Sequence, residues 1–150
     1  AIIMACSFLW YYKMKKIKSF KIKTYSSKTG KLIPIYFNKK FPMKVKRVFI
    51  LYGKKNKIKG NHAHKKCSQF FIPVLGKFIL EIKTPGAKKK MVLNHLSKIA
   101  VLVPPKYWCS IKFVSNNSIL MVACDQHYNI NDYLKNFNVY KKYLRKKWKF

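Results

Sequence analysis

The sequence predicts an all-β domain, an antiparallel sandwich or barrel, with a single helix added at its C-terminal end. Three observations predict it. Short apolar runs rich in Val, Ile, Phe and Tyr recur along most of the chain. Turn residues separate them, among them Gly53, Gly76, Pro85-Gly86, Pro104-Pro105 and Asn116-Asn117. After Asp125 the spacing of apolar residues changes from strand-like to helical. Short strands at this spacing, with such turns between them, belong to antiparallel β architectures.

The elements follow in order. Residues 15–23 alternate imperfectly between Lys and apolar residues and predict a strand, and Ser26-Ser27-Lys28-Thr29-Gly30-Lys31 predicts a turn. Leu32–Phe37 predicts a second strand, with Pro34 marking an edge or a bulge. Val45–Tyr52 predicts a strong strand ending at Gly53, followed by a lysine-rich loop over 54–60. Gln69–Leu75 is apolar and rich in strand formers, and Gly76 turns the chain into Lys77–Lys83. Met91–His95 and Ile99–Val103 predict short strands before the Pro104-Pro105 corner. Ser110–Val114 and Ser118–Cys124 predict a hairpin around Asn116-Asn117. From Asn131 through Leu144 the spacing predicts a helix whose stripe of Tyr133, Phe137, Tyr140 and Leu144 docks on the barrel, with Asn131 or Asp132 as its cap.

Composition bounds the function. The chain of 150 residues suits one domain with a real core, and 49% apolar content argues against disorder. Thirty-four Lys and Arg stand against Glu81, Asp125 and Asp132, a net charge of +31. Such a surface attracts polyanions, so nucleic acid and anionic membranes are candidate partners. They are not favoured: the lysines are scattered instead of forming one block, and Arg47 and Arg145 are the only arginines, whereas base readers lean on Arg. Cys6, Cys67, Cys109 and Cys124 form no CxxC pattern and are expected to be reduced, buried thiols of a cytoplasmic protein. Residues 1–13 are apolar but short of a membrane span and lack the basic start of a signal peptide. With Met4 or Met14 as the candidate start, they are expected to be an extension outside the fold, which then covers 14–150.

The candidate site is Lys59-Gly60-Asn61-His62-Ala63-His64-Lys65-Lys66-Cys67-Ser68-Gln69, running on to Gly76. Side chains at i and i+2 of a strand leave the same face, so His62 and His64 point together into what that face encloses. Neutral imidazoles are suited to proton transfer near neutrality. The spacing His-x-His-x4-Gln-x6-Gly resembles the first motif of the cupin barrels, with Gln69 where many cupins carry a metal-binding Glu. The second motif has its counterpart at Pro104–Cys109, with Lys106 in place of Gly and Cys109 in place of the third His. Two His, an amide and a thiol make a poor cupin metal site, so acid–base chemistry with no metal and no cofactor is expected. His95 and His127 stand apart from this group and are expected to be structural.

Taken together, Lys46–Phe49, the stretch Lys59–Lys66 with Gln69, Val103–Trp108, and Ala123–Tyr128 leading to Asp132-Tyr133-Leu134-Lys135 resemble the WxcM-like cupin sugar-nucleotide 3,4-ketoisomerases. The resemblance runs over roughly 15–145. It implies a cupin-type jelly-roll barrel, a homodimer, and conversion of dTDP-4-keto-6-deoxyglucose to a 3-keto isomer through an enediol, feeding deoxysugar or aminosugar synthesis for surface polysaccharide. It implies His62 and His64 as catalytic base and acid, in unassigned order. It also implies substrate contacts from Lys59 (enediolate or diphosphate), Gln69 (orienting a histidine or a sugar hydroxyl), Arg47 (phosphate), Tyr52 (a proton relay) and Trp108 (pocket wall). Lys59 stands where the family carries Arg, which keeps the charge but gives up bidentate phosphate geometry. An early Asp-x-Arg-Gly turn is here Ser27-Lys28-Thr29-Gly30, and Trp-His is Trp108-Cys109. The alternatives are a nucleotide-sugar-binding cupin without turnover, or a lysine-rich protein that binds nucleic acid or membrane surfaces.

Overall fold

The computed structural model describes residues 14–147, so the expectation for 1–13 as an extension lies outside the described residues. Among the described residues twelve strands are formed: β1 (Lys18–Lys21), β2 (Tyr25–Ser27), β3 (Gly30–Leu32), β4 (Arg47–Gly53), β5 (Ile58–His64), β6 (Gln69–Leu75), β7 (Lys77–Thr84), β8 (Ala87–Asn94), β9 (Ile99–Val103), β10 (Trp108–Phe113), β11 (Ser118–Cys124) and β12 (Tyr133–Leu134). A 3-10 turn over Ile130–Asp132 precedes β12, and helix α1 (Phe137–Lys147) ends the described chain.

The strands make two five-stranded sheets, ordered β1-β9-β6-β11-β4 and β12-β5-β10-β7-β8, with β2 and β3 as a separate hairpin. Every pairing is antiparallel. This is the expected cupin-type barrel. Its interior is filled from both sheets by Phe71, Phe78, Leu80, Val101, Phe113 and Leu120, each at most 1% exposed. Strand β6 is apolar on both faces because both are covered: Phe71 faces the barrel, while Phe70 and Ile72 lie under Phe20, Ile35 and Phe41. Pro73 is tolerated in this central strand because the pairing with β9 stops at Phe71. At Gly76 the backbone has φ +87, and an added Cβ would lie 2.5 Å from Ser118 Oγ, so the β6–β7 turn needs glycine.

Three expected elements differ. Only Leu32 of the 32–37 run is in a strand. Pro34 has no N–H to give a ladder, and Pro34 and Ile35 instead border a groove beside Phe20 and Phe70. The loop expected over 54–60 is shorter, since β5 begins at Ile58 and carries the site glycine within it. The helix begins at Phe137, six residues after Asn131, and its cap is Asn136, whose Oδ1 accepts from the backbone N–H of Asn138 (2.9 Å) and Val139 (3.1 Å). Tyr133 is therefore a strand residue and not part of the helical stripe.

The docking of the helix is as expected. Tyr140 and Leu144 are fully buried against Ala63, Trp108 and Leu134 on the outer face of β5 and β10. Complete burial of such side chains contributes about 1.5–3 kcal/mol each. The Tyr140 hydroxyl also donates to the carbonyls of Lys106 (2.8 Å) and Lys83 (3.3 Å). No helix among the described residues is long and apolar enough to cross a membrane.

Candidate active site

Strand β5 reaches the site through a bulge. Cys109 of β10 pairs with His62, but Ser110 pairs with Gly60, which leaves Asn61 as the extra residue. Gly60 (φ +84) and Asn61 (φ +59) both sit in the left-handed region that glycine and asparagine tolerate. Asn61 turns outward, and its Oδ1 accepts from Trp108 Nε1 at 3.1 Å. The bulge resets the alternation so that His62 and His64 face inward while Ala63, fully buried, faces the helix.

The two imidazoles meet edge to face, with Nε2 of His62 3.2 Å from Nε2 of His64. The far side of His64 is fixed by Asp132: Nδ1 donates to Oδ2 at 2.9 Å. With that N–H committed, Nε2 of His64 keeps its lone pair toward His62, and one proton can be shared between the two Nε2 atoms. Asp132 is itself held by the backbone N–H of Lys66 (2.8 Å) and Cys67 (3.3 Å). The Lys65 N–H donates to the Asp132 carbonyl (2.9 Å), and Lys65 Nζ donates to the Asn131 carbonyl (2.7 Å), so the 131–132 segment is tied to the end of β5. Beside it Tyr133 pairs with His64 across the β5–β12 ladder. Its ring lies 4.8 Å from the His62 ring and 4.4 Å from the His64 ring.

Burial holds both histidines neutral. Desolvation is the main cause of the lowered pKa of His62, and the charge of Lys135 adds to it, against a hydrogen bond to the Gly60 backbone. Desolvation also lowers His64; its bond to Asp132 opposes this only in part, while the charges of His62 and Arg47 add to the lowering. Uncharged imidazoles that face one another beside a carboxylate form a unit that can accept a proton and return it.

A cavity of about 250 Å³ opens in front of His62. Lys59, Gln69, Cys109 and Tyr133 line it together with the apolar side chains of Phe49, Leu51, Phe71 and Ile111. His62, His64, Lys59 and Gln69 are thus brought together as expected from the sequence, with His64 behind His62 and Lys59 at the exposed rim. Gln69 lines the cavity, and the residue that orients His64 is Asp132.

Three expected substrate contacts are placed elsewhere. Tyr52 is 73% exposed on the outer face of β4 with Val48 and Ile50, because Phe49 and Leu51 take the inward positions of the two-residue alternation. Trp108 faces away from the cavity and lies under the helix, 5.2 Å from the Phe137 ring and 5.6 Å from the Tyr140 ring; its neighbour Cys109 has the cavity position. Arg47 is turned inward below the cavity. Its Nη2 donates to Cys124 Sγ at 3.5 Å, and its guanidinium lies over the Phe49 and Tyr128 rings, in place of an exposed phosphate grip. Its Nε is buried without a partner.

Two functional candidates escaped the sequence argument as site residues, Asp132 and Tyr133. The available signal was scarcity, since Asp132 is one of only three acids in the chain. His95 is structural, with Nδ1 accepting from the Gly76 N–H at 3.0 Å.

His64, Cys67 and Asp132 place three potential metal donors within 4.8 Å of one another. The donor set is already committed: His64 Nδ1 and Asp132 Oδ2 bond each other, and the Cys67 Sγ–H donates to the Ser68 carbonyl at 3.3 Å. A hydrogen bond to Cys124, then burial, holds Cys67 in its protonated form, while Cys124, bonded to Cys67 and Arg47, is the member drawn toward thiolate. Cys109 is pushed up to about 12 by burial, which leaves it a poor nucleophile. Cys67, Cys109 and Cys124 are buried and free of disulfides, as expected.

Comparison with known proteins follows the same lines. The chain is 27% identical over 118 residues to the TDP-4-oxo-6-deoxy-alpha-D-glucose-3,4-oxoisomerase of Aneurinibacillus thermoaerophilus, a match covering 78% of this chain and 84% of that protein. It superposes on the crystal structure of QdtA, a sugar 3,4-ketoisomerase from Thermoanaerobacterium thermosaccharolyticum in complex with TDP, with a TM-score of 0.79 and 26% identity, covering 87% of this chain and 96% of that one. The WlaRB TDP-quinovose 3,4-ketoisomerase of Campylobacter jejuni superposes with a TM-score of 0.76 at 25% identity, covering 86% of this chain and 99% of that one. A family model described as FdtA, WxcM-like, C-terminal matches residues 13–145, and with nearly the whole described chain inside that match this protein belongs to the WxcM-like, C-terminal family.

Proposed function

We propose that this chain is a 3,4-ketoisomerase of a TDP-4-keto-6-deoxyhexose, working by acid–base chemistry through an enediol, in the synthesis of deoxysugars or aminosugars. The observation that carries the reading is the His62–His64 pair, neutral by burial, facing a cavity and backed by Asp132. Moving a carbonyl from C4 to C3 requires a proton to leave C3 and one to arrive at C4. The imidazole pair acts as one unit for these transfers: His62 stands at the cavity, and His64 with Asp132 stabilises the positive charge gained when the unit takes a proton. Lys59 at the rim supplies a cation for the diphosphate or the developing enediolate. The relatives' activities and the TDP bound to QdtA support the same substrate class.

The chain is proposed to act as a homodimer. Edge strand β4 leaves Val48, Ile50 and Tyr52 exposed in one outward row, with exposed Leu75 of β6 across β11 from Tyr52, the kind of apolar edge that a second copy covers. Light scattering on the purified protein tests this. The reduced thiols fit a cytoplasmic enzyme.

Incubation of the purified protein with TDP-4-keto-6-deoxyglucose, followed by proton NMR, tests the activity. The 3-keto isomer is the expected product. Tight TDP binding without conversion of any TDP-4-keto sugar would instead leave a binding protein.

A further inference from the structure

Scattered along the chain, the lysines are in part gathered on one face by the fold. The outer side of the second sheet carries side chains from alternate positions of β5, β10, β7 and β8. Register places Ala63, Trp108, Lys83 and Lys88 in one row across it and Ser110, Glu81 and Lys90 in the next. Ile58, Lys112, Ile79 and Val92 form a third row. Helix α1 covers the Ala63 and Trp108 end, and the Tyr140 hydroxyl on the Lys83 carbonyl (3.3 Å) seats it beside the lysine rows. Its exposed side adds Lys142, Arg145, Lys146 and Lys147.

The negative charge on this face is Glu81. Its carboxylate holds Lys83 at 2.8 Å and Lys88 at 3.0 Å, with Lys90 at 3.9 Å, so three ammonium groups share one carboxylate. The other two acids of the chain lie elsewhere, Asp132 behind His64 and Asp125 on the Ser68 N–H. Aliphatic side chains stand among the cations: Ile58 and Val92 are each 60% exposed, and Val139 of the helix is 53% exposed. Charge of one sign interleaved with aliphatic groups is complementary to an anionic bilayer, where ammonium groups meet phosphates and the aliphatic groups enter the headgroup layer.

Simpler roles cover only part of the set. Lysines on edge strand β8 deter strand pairing, and cations in the last turn of α1 suit its dipole. Neither accounts for Lys112 on interior strand β10, or for Ile58 and Val92 left in solvent. Single-stranded nucleic acid is served by aromatic platforms between the cations. The exposed aromatics among the described residues, Tyr25, Tyr36, Phe37, Tyr52 and Tyr128, belong to other elements.

We propose that the outer face of the second sheet, together with helix α1, is an electrostatic docking surface for an anionic lipid bilayer. Strand β4, whose exposed row is proposed for a second copy, belongs to the other sheet, so the two surfaces do not overlap.

Co-sedimentation of the purified full chain with lipid vesicles tests this. The protein is expected to bind vesicles of phosphatidylcholine and phosphatidylglycerol in equal parts at about 0.15 M salt, to ignore pure phosphatidylcholine, and to be released at about 0.5 M salt. Lys90→Gln/Lys112→Gln/Lys142→Gln/Lys146→Gln removes exposed cations of the face and is expected to weaken partitioning about 10²-fold or more. Lys39→Gln/Lys40→Gln/Lys44→Gln/Lys46→Gln makes the same change of charge on the loop that covers the other sheet, and is expected to stay within about threefold of wild type. Wild type that fails to sediment with the anionic vesicles overturns the proposal whatever the variants do. Equal losses in the two variants assign binding to net charge and overturn the face as the docking surface. A protein that retains single-stranded RNA but not the vesicles gives the face to nucleic acid instead.

Discussion

His64 and Asp132 are 68 residues apart in the chain, yet Nδ1 and Oδ2 are 2.9 Å apart in the barrel, with side chains only 6% and 11% exposed. One of the three acids in a chain of net charge +31 is thus spent behind an imidazole. Among 34 Lys and Arg, a carboxylate is the rare commodity, and its position marks where negative charge is needed.

Asp132→Asn keeps the shape but removes that charge and presents an amide that can offer either an acceptor or a donor to Nδ1. The wrong tautomer of His64 becomes accessible, and a charged imidazole unit loses its counterion. Turnover is expected to fall by about 10²–10⁴-fold with TDP affinity little changed. Steady-state kinetics beside calorimetric TDP titration checks this; a variant with near wild-type kcat would remove Asp132 from the account.

The pH dependence follows from burial. Both His62 and His64 lie below the ordinary value of 6.5, with desolvation as the leading cause. The base form therefore persists to lower pH than in a free histidine, and the acid limb of kcat/KM is expected below 6.5. Stability follows the same sign. Between the lowered folded values and 6.5, the unfolded chain binds more protons than the native one, so stability is full above 6.5 and declines as pH falls through that window. Urea unfolding at a series of pH values reads it. Stability rising on acidification there would contradict the assignment of neutral buried imidazoles.

Gly60→Ala tests the bulge that aims the histidines. The backbone there has φ +84, and a Cβ would stand 3.1 Å from the Cys109 carbonyl oxygen. A cost of about 1–3 kcal/mol is expected in chemical denaturation, together with reduced turnover as His62 shifts. An unchanged unfolding midpoint would show that the bulge tolerates a side chain.

The helix contact is a matter of stability and not of chemistry. Tyr140→Phe removes the hydroxyl that donates to Lys106 and Lys83 and is expected to cost about 1 kcal/mol. Leu144→Ala opens a fully buried site and is expected to cost about 2–5 kcal/mol. Both unfold at lower denaturant with kcat nearly intact; a selective loss of kcat in Tyr140→Phe would give the helix a role in the reaction.

Much of this was legible in the sequence because it is local. The β-rich pattern and the His62 and His64 pair on one face follow from the two-residue alternation of a strand, whereas Lys59, three residues before His62, shares their face only through the bulge at Asn61 and, like Gln69 on β6, was legible through the motif and not through alternation. Asp132 was not legible as a partner of His64, because an Asn-Asp pair before an apolar stripe has the form of a helix start. The structure spends that segment on a 3-10 turn and a two-residue strand instead, and Asn136 does the capping. Tyr133 went with it, since its place on the stripe suited a helix that begins only at Phe137. Trp108 and Tyr52 failed for another reason. Each is next to a residue that does line the cavity, and alternation gives neighbours opposite faces; the composition of a strand that is covered on both sides does not say which face is the cavity.

The measurement that tests the central claim most directly is an NMR assay with TDP-4-keto-6-deoxyglucose in D2O, comparing wild type with His62→Asn and His64→Asn. The account predicts a 3-keto product carrying solvent deuterium on the ring with the wild type, and loss of product and of deuterium incorporation in both variants. Deuterium incorporation and turnover that survive in either variant would contradict a histidine pair acting as one proton-handling unit.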